Sequence, residues 1–320
     1  MNPYWDTNLF SFFLTLLSRL FSGALFTNPA ADEIQLGTLS LVAFSCGLLS
    51  PFLVLKRMSM FANALSHTVL LGIALAFLLS SALFGATLLQ PSTLFIGALL
   101  SALLTALLTE GTTRLFRLQE ESSVGLIFSL LFALGVIITT LFTRHIHLGV
   151  EAVLGNADAL QRSDLFLSGL YALLSLGTIL LFFRPLQISI FDRSFALLSG
   201  LRPQLLHFLL LFLTAGLSVS AFRAIGLLLV LSFLTGPYLI ARLFCHRLSL
   251  LLILTPAIGI ALSLLGIALS RHLLSLYDLP LSTGGITTSL IALTWLVLYF
   301  ARAYIPKRKS YSITHNSANL

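Results

Sequence analysis

SLLLILTPAIGIALSLLGIALS, residues 249–270, runs for twenty-two positions without an Asp, Glu, Lys, Arg or His. A helix of that length reaches about 33 Å, enough to cross the roughly 30 Å hydrocarbon core of a bilayer. Its apolar side chains lie on every side, so no face is left for water. A lone strand would leave its N–H and C=O groups unpaired in lipid, whereas a helix satisfies them internally. The stretch therefore points to a membrane-spanning, all-α chain.

Working outward, nine more stretches read the same way: 9–26, 36–55, 62–84, 91–109, 123–142, 164–184, 205–221, 224–243 and 284–304. The expected fold is an all-α polytopic transmembrane bundle of about 8–10 helices. Two stretches are interrupted. Arg19 breaks the first, and Gly236-Pro237 breaks 224–243, where the missing backbone donor predicts a short or broken helix. The N-terminus has Asp6 and no Lys or Arg before Arg19, so it lacks the positive flank of a cleaved signal. It reads as a first membrane helix, Leu9–Phe26.

Composition agrees. Of the 320 residues, 58% are apolar and 9% are charged, against roughly 25% charged in a soluble domain. The net charge of +7 comes from short basic clusters between apolar runs rather than from one basic face. That excludes a nucleic-acid partner and leaves an orientation signal. With the N-terminus placed in the cytoplasm, the inner loops and ends hold Lys56, Arg57, Arg114, Arg117, Arg184, Arg193, Arg202, Arg242, Arg247, Arg302, Lys307, Arg308 and Lys309. The outer loops hold Arg144, Arg162, Arg223 and Arg271. Both termini are thus expected inside, with 1–310 as one transmembrane domain and 311–320 as a short cytoplasmic tail. No phosphate-binding Gly-x-x-x-x-Gly-Lys-Ser/Thr loop occurs, so the chain cannot hydrolyse ATP alone. Cys46 and Cys245 lie inside apolar runs and read as small buried hydrophobes.

Polar groups inside apolar spans are costly and mark site candidates. The richest place is Arg57-Met58-Ser59-Met60-Phe61-Ala62-Asn63-Ala64-Leu65-Ser66-His67. Asn63 and His67 are four apart and share a helix face. A neutral imidazole and an amide oxygen can hold a divalent transition metal in passing; packing of His67 between helices is the competing reading. His145, His147 and Glu151 in the outer loop are weak entrance candidates, with Asp158 nearby. His272 and Asp278 form a second outer pair, and His207 reads as structural. On the inner side, Ser194–Ser199 is a short helix candidate started by Asp192 or Arg193 and stopped by Gly200. It can serve as a docking element or as a plain connector.

These residues resemble the permease subunits of zinc, manganese and iron ATP-binding-cassette importers, the ABC-3 family, over about 36–303. The family's Arg-Arg-Met-Ser run and Gly-Asp-Ala-Leu-Ser-His-Ala-Val-Leu-Pro-Gly signature stand here as Lys56-Arg57-Met58-Ser59 and Ala62-Asn63-Ala64-Leu65-Ser66-His67-Thr68-Val69-Leu70-Leu71-Gly72. Leu154-Gly155-Asn156, Phe191-Asp192 with Ala196 and Gly200-Leu201, Ile225-Gly226 through Pro237 to Ala241-Arg242, and Asp278-Leu279-Pro280 with Gly284 are similar to further family segments. The resemblance implies a type II importer permease in the cell (inner) membrane, not an enzyme, with a divalent transition metal as cargo and no tightly bound cofactor. It implies a transient metal contact at His67 and Asn63. It also implies coupling to a cytoplasmic ATPase through Asp192, Ala196, Gly200 and Leu201. Further partners would be an extracytoplasmic metal-binding protein and a second permease subunit, the same or different. The sequence departs from the pattern where Asn63 replaces the acidic residue, Ala62 a glycine and Leu71 the proline. A siderophore or cobalamin permease shares the architecture but needs no imidazole in the membrane. An ion-driven secondary transporter would want carboxylates well inside the spans, and none is read there; an intramembrane protease would need a Ser/His pair, an Asp dyad or His-Glu-x-x-His, and Ser66 and His67, being adjacent, point in different directions.

Overall fold

Helices account for nearly all of the described residues, which are 3–4, 8–23, 27, 29–84, 91–142 and 156–304 of a computed structural model. In chain order they are α1 (Leu9–Phe21), α2 (Ala31–Leu55), α3 (Ser59–Phe84), α4 (Pro91–Leu115), α5 (Glu120–Phe142), α6 (Arg162–Phe191), α7 (Arg193–Leu198), α8 (Pro203–Ile225), α9 (Leu227–Phe244), α10 (Leu248–Tyr277) and α11 (Thr283–Tyr304). Among the described residues nine helices, all except α1 and α7, are long and apolar enough to cross a membrane.

The chain is layered by what each helix must exclude. α2 and α8 sit innermost: α2 packs on α6, α8, α9 and α10, and α8 on α3, α4, α6 and α9. Midway along them, buried hydroxyls such as Thr38, Ser45 and Thr214 bond a carbonyl one turn back in their own helix. α5 and α11 lie outside, with Leu126, Leu130, Ile137, Leu293, Val297 and Phe300 exposed. In lipid such side chains need no cover.

Three boundaries differ from the sequence expectation. α1 has 13 residues, about 20 Å, and is too short to span. Both of its ends touch the same end of the bundle. The Leu9 N–H donates to His272 Nδ1 at 3.2 Å, and Arg19 pairs with Glu33 at 2.5 Å. Among the described residues nine helices are of spanning length, an odd number, which sets α1 and the C-terminal end of α11 at opposite ends of the bundle. α6 continues to Phe191, beyond the expected stop at 184. Its 30 residues span about 45 Å, so it projects past the hydrocarbon. The backbone of Phe182 is non-helical (φ −109°, ψ 17°), next to Leu181, whose carbonyl Pro185 crowds and leaves without its N–H partner. Finally, Gly236-Pro237 does not break α9. Ser50 Oγ of α2 donates to Leu234 O at 2.5 Å, supporting the turn that Pro237 weakens.

α8 and α9 join through one residue. Gly226 has φ +84° and ψ 159°, a region essentially closed to residues with a Cβ. The chain reverses there with no loop.

Candidate translocation site and coupling segment

The turn between α2 and α3 explains the Lys-Arg-Met-Ser run. Arg57 N–H donates to Val54 O at 3.0 Å and Met58 N–H to Leu53 O at 2.8 Å. This is the paired 5→2 and 6→1 closure that ends many helices. The left-handed position, usually glycine, is Arg57 (φ 60°). Met58 follows it and is buried, supplying the hydrophobic contact of the motif. α3 then starts at Ser59 with its direction fixed.

Along α3, Asn63 is exposed and His67 half-buried. The His67 ring packs against α5, with centroid distances of 5.3 Å to Phe128 and 5.4 Å to Phe132. At the next residue, Ser101 Oγ donates to Thr68 O at 2.5 Å, and Thr105 Oγ1 bonds Thr68 Oγ1 at 2.9 Å. These tie α4 to the backbone beside His67. Gly72 and Gly97 face each other where α3 and α4 cross, and a Cβ on either would collide with the other's carbonyl. Leu71, at the proline position of the resembled signature, is buried with Ile127 and Leu131 of α5. The aromatic and small-residue packing thus sets the height and rotation of His67 and Asn63. Among the described residues no group of three or more His, Cys, Asp or Glu side chains converges as a metal site. His67 and Asn63 offer two donors, fewer than the four of a closed transition-metal site.

The four residues expected to couple, Asp192, Ala196, Gly200 and Leu201, serve one small construction. Asp192 caps α7, its Oδ1 accepting from the Phe195 N–H at 2.9 Å. At the other end Gly200 (φ +75°) takes the left-handed position. Gly200 N–H donates to Leu197 O at 3.1 Å and Leu201 N–H to Ala196 O at 3.0 Å, the same paired closure as at Met58. Ala196 is fully buried. The residues presented outward are different ones: Phe191 at the end of α6, and Phe195, Leu197 and Leu198 of α7, the last 87% exposed. Sequence reading found the frame and missed the exposed apolar face. The signal that would have found it is the apolar residue type between two helix stops.

A charged cluster was also missed. Glu110 of α4 bonds Arg114 at 2.6 Å and His207 Nε2 of α8 at 3.1 Å. Lys56 Nζ meets His207 Nδ1 at 3.2 Å. His207 thus bridges α8, α4 and the α2–α3 turn. The cluster lines a cavity of about 590 Å³, bordered also by Arg57, Glu121 and Gln204.

The outer candidates divide. His145, His147 and Glu151 lie outside the described residues. Asp158 is structural: it accepts from Gln35 Nε2 at 3.0 Å, from the Thr283 N–H at 3.2 Å and from the Thr283 hydroxyl, holding its loop against α2 and the start of α11. His272 and Asp278 have separate tasks. His272 holds α1, and Asp278 adopts the left-handed C-cap of α10 (φ 55°). The expected free cysteines are both buried.

A family model described as the ABC 3 transport family matches residues 34–302. The protein named Probable metal transport system membrane protein of Chlamydia muridarum is 37% identical over 309 residues, covering 95% of this chain and 97% of that one. The Manganese transport system membrane protein MntC of Halalkalibacterium halodurans is 32% identical over 266 residues, covering 81% and 83%. Among solved structures, PsaBC from Streptococcus pneumoniae in complex with Fab superposes with a TM-score of 0.67 at 26% identity, covering 88% of this chain and 94% of that one.

Proposed function

The chain belongs to the ABC 3 transport family, and we propose that it is the membrane-spanning permease of an ATP-driven importer of a divalent transition metal, with manganese the best-supported cargo. The family match across nearly every spanning helix carries this reading. The relative MntC, a manganese transport system membrane protein, supports manganese over zinc and iron, which His67 and Asn63 alone do not separate.

In this reading the basic end of the bundle faces the cytoplasm. Arg19 joins Arg144, Arg162, Arg223 and Arg271 on the outer side, and the other basic residues stay inside. A separate ATPase docks on α7 and the adjoining end of α6. A binding protein delivers the cation at the opposite end. Two permease subunits face each other across the path, and nucleotide-driven closure of the ATPases switches access by shifting the balance between two packed states. Asn63 lacks the charge that favours a dication over water, so a second, non-identical permease subunit supplies the carboxylate.

Metal uptake into vesicles holding the assembled complex tests this. Uptake should require ATP and should favour manganese in competition with zinc and iron. ATP-independent uptake by this chain alone would overturn the reading. Normal transport rates in both Asn63→Ala and His67→Ala complexes would remove the site while leaving the permease role intact.

A further inference from the structure

α1 has three faces rather than two. With about 100° per residue, Phe10, Leu14, Leu17 and Phe21 fall within about 60° of one another, and all four are exposed, Phe10 at 75% and Phe21 at 82%. Ser11, Thr15, Ser18 and Ser22 form a second stripe about 100° away. Each of these hydroxyls bonds a carbonyl three or four residues back. Phe12 and Leu16 form the third face, toward the bundle, where Phe12 is 1% exposed and packs on Tyr4 with a ring-centroid distance of 5.0 Å.

A water-exposed helix needs two faces, one for the core and one for solvent. A third face that is apolar and uncovered needs a further neighbour. The pinning of α1 says where that neighbour is. Its two ends are held by His272 on the last turns of α10 and by Glu33 on the first turn of α2. α10 has 30 residues, about 45 Å against a hydrocarbon core of about 30 Å, so its end lies at membrane-surface level. A helix held along that level meets protein on one side, water above and acyl chains below.

We propose that α1 is an interfacial helix, lying flat in the leaflet at the non-basic end with Phe10, Leu14, Leu17 and Phe21 sunk among the lipids. This is the behaviour of amphipathic helices that rest in a membrane rather than cross it. The Ser and Thr stripe stays in the headgroup water. The Arg19–Glu33 pair and the Tyr4 hydroxyl, which donates to Glu33 at 2.8 Å, clamp it to α2. The lipid surface is thereby linked to the first turn of α2, where Asp32 pairs with Arg271. The placement does not depend on which metal is carried.

Spin labels on single cysteines test it, with Cys46 and Cys245 replaced by Ser and the full chain in phosphatidylethanolamine–phosphatidylglycerol vesicles. Labels at 10, 14, 17 and 21 should be relaxed by oxygen and shielded from a water-soluble nickel chelate. Labels at 11, 18 and 22 should show an oxygen-to-nickel ratio several-fold lower. An impermeant maleimide should reach Ser18→Cys and Ser22→Cys only from the side opposite the basic end. Shielding of 10, 14, 17 and 21 from both reagents would place a protein subunit on that face and overturn the proposal. Free nickel access there would place water or a soluble partner on it, and maleimide reaction from the basic side would put α1 at the wrong end; either result overturns it too.

Discussion

The short helix α7 should be a marginal structure whose caps decide whether it exists. Six residues cannot nucleate a helix on their own account, so α7 depends on Asp192 at one end, Gly200 at the other and the burial of Ala196 between them. Replacing Asp192 by Ala removes the bond to the Phe195 N–H and costs about 1 kcal/mol. Replacing Gly200 by Ala puts a Cβ at φ +75° and costs about 1 kcal/mol or more. The two changes sit at opposite ends and share no partner, so the costs should add to about 2 kcal/mol. That is a shift of about 30-fold in the local open-to-closed ratio. Hydrogen exchange of the Phe195, Gly200 and Leu201 amides reads it directly: the double variant should exchange about 30-fold faster there, while amides in α8 stay unchanged. Asp192→Asn, an equally good cap, should behave as wild type. Unchanged exchange at all three amides in the double variant would refute the capping account. Loss of ATPase recruitment in that variant, alongside an intact bundle, would tie the helix to coupling.

Further expectations follow from the packing. Gly72→Leu drives side-chain carbon into Gly97 and Ser101, should cost about 1–3 kcal/mol, and should lower the thermal midpoint in detergent; Ser80→Leu, at a half-buried position further along α3, should not. Gly226→Ala forces a Cβ into a backbone region reserved for glycine and should cost about 1–3 kcal/mol, seen in the same melting assay. Glu110→Gln leaves Arg114 and His207 without their anion and should loosen α4 against α8, raising the exchange of amides at the start of α8; Lys56→Gln should do so less. Burial, then the Glu33 hydrogen bond, pushes the Tyr4 phenol above its ordinary range. Its contribution to holding α1 should be complete below the usual tyrosine value of about 10 and vanish only as pH rises past the elevated one. A spin label on α1 should therefore gain mobility at strongly alkaline pH in the wild type, and Tyr4→Phe should remove that step.

The fold was legible wherever one property settled the answer. An uncharged run of twenty-two residues leaves a spanning helix as the only choice, and α10 is that helix. It was less legible where two properties compete. Leu9–Phe26 is apolar enough to suggest a span, but the hydroxyl stripe at 11, 15, 18 and 22 and the 13-residue length make it a surface helix instead. Arg184-Pro185 reads as a stop, yet α6 absorbs the proline in a kink and goes on. Gly236-Pro237 reads as a break, yet a hydroxyl on another helix supports the turn. Such rescue is tertiary and leaves no local trace. In the candidate site, the motif put Asn63 and His67 on one helix, α3, but left unread the packing of the His67 ring on Phe128 and Phe132. Glu110 was invisible because it sits where the expected span had already ended. Only the fold brings it to His207, nearly a hundred residues away.

The single-residue joint at Gly226 bears on how the protein is made. A pair of helices entering a bilayer must carry whatever lies between them across the hydrocarbon, and each polar residue in that connection raises the barrier. Between α8 and α9 there is no connection to carry. The one charged side chain near the tip is Arg223, and Asp164 at the start of α6 waits 2.9 Å from it. Pro203–Phe244 can therefore enter as one closed hairpin, with a counter-ion already in place on the far side.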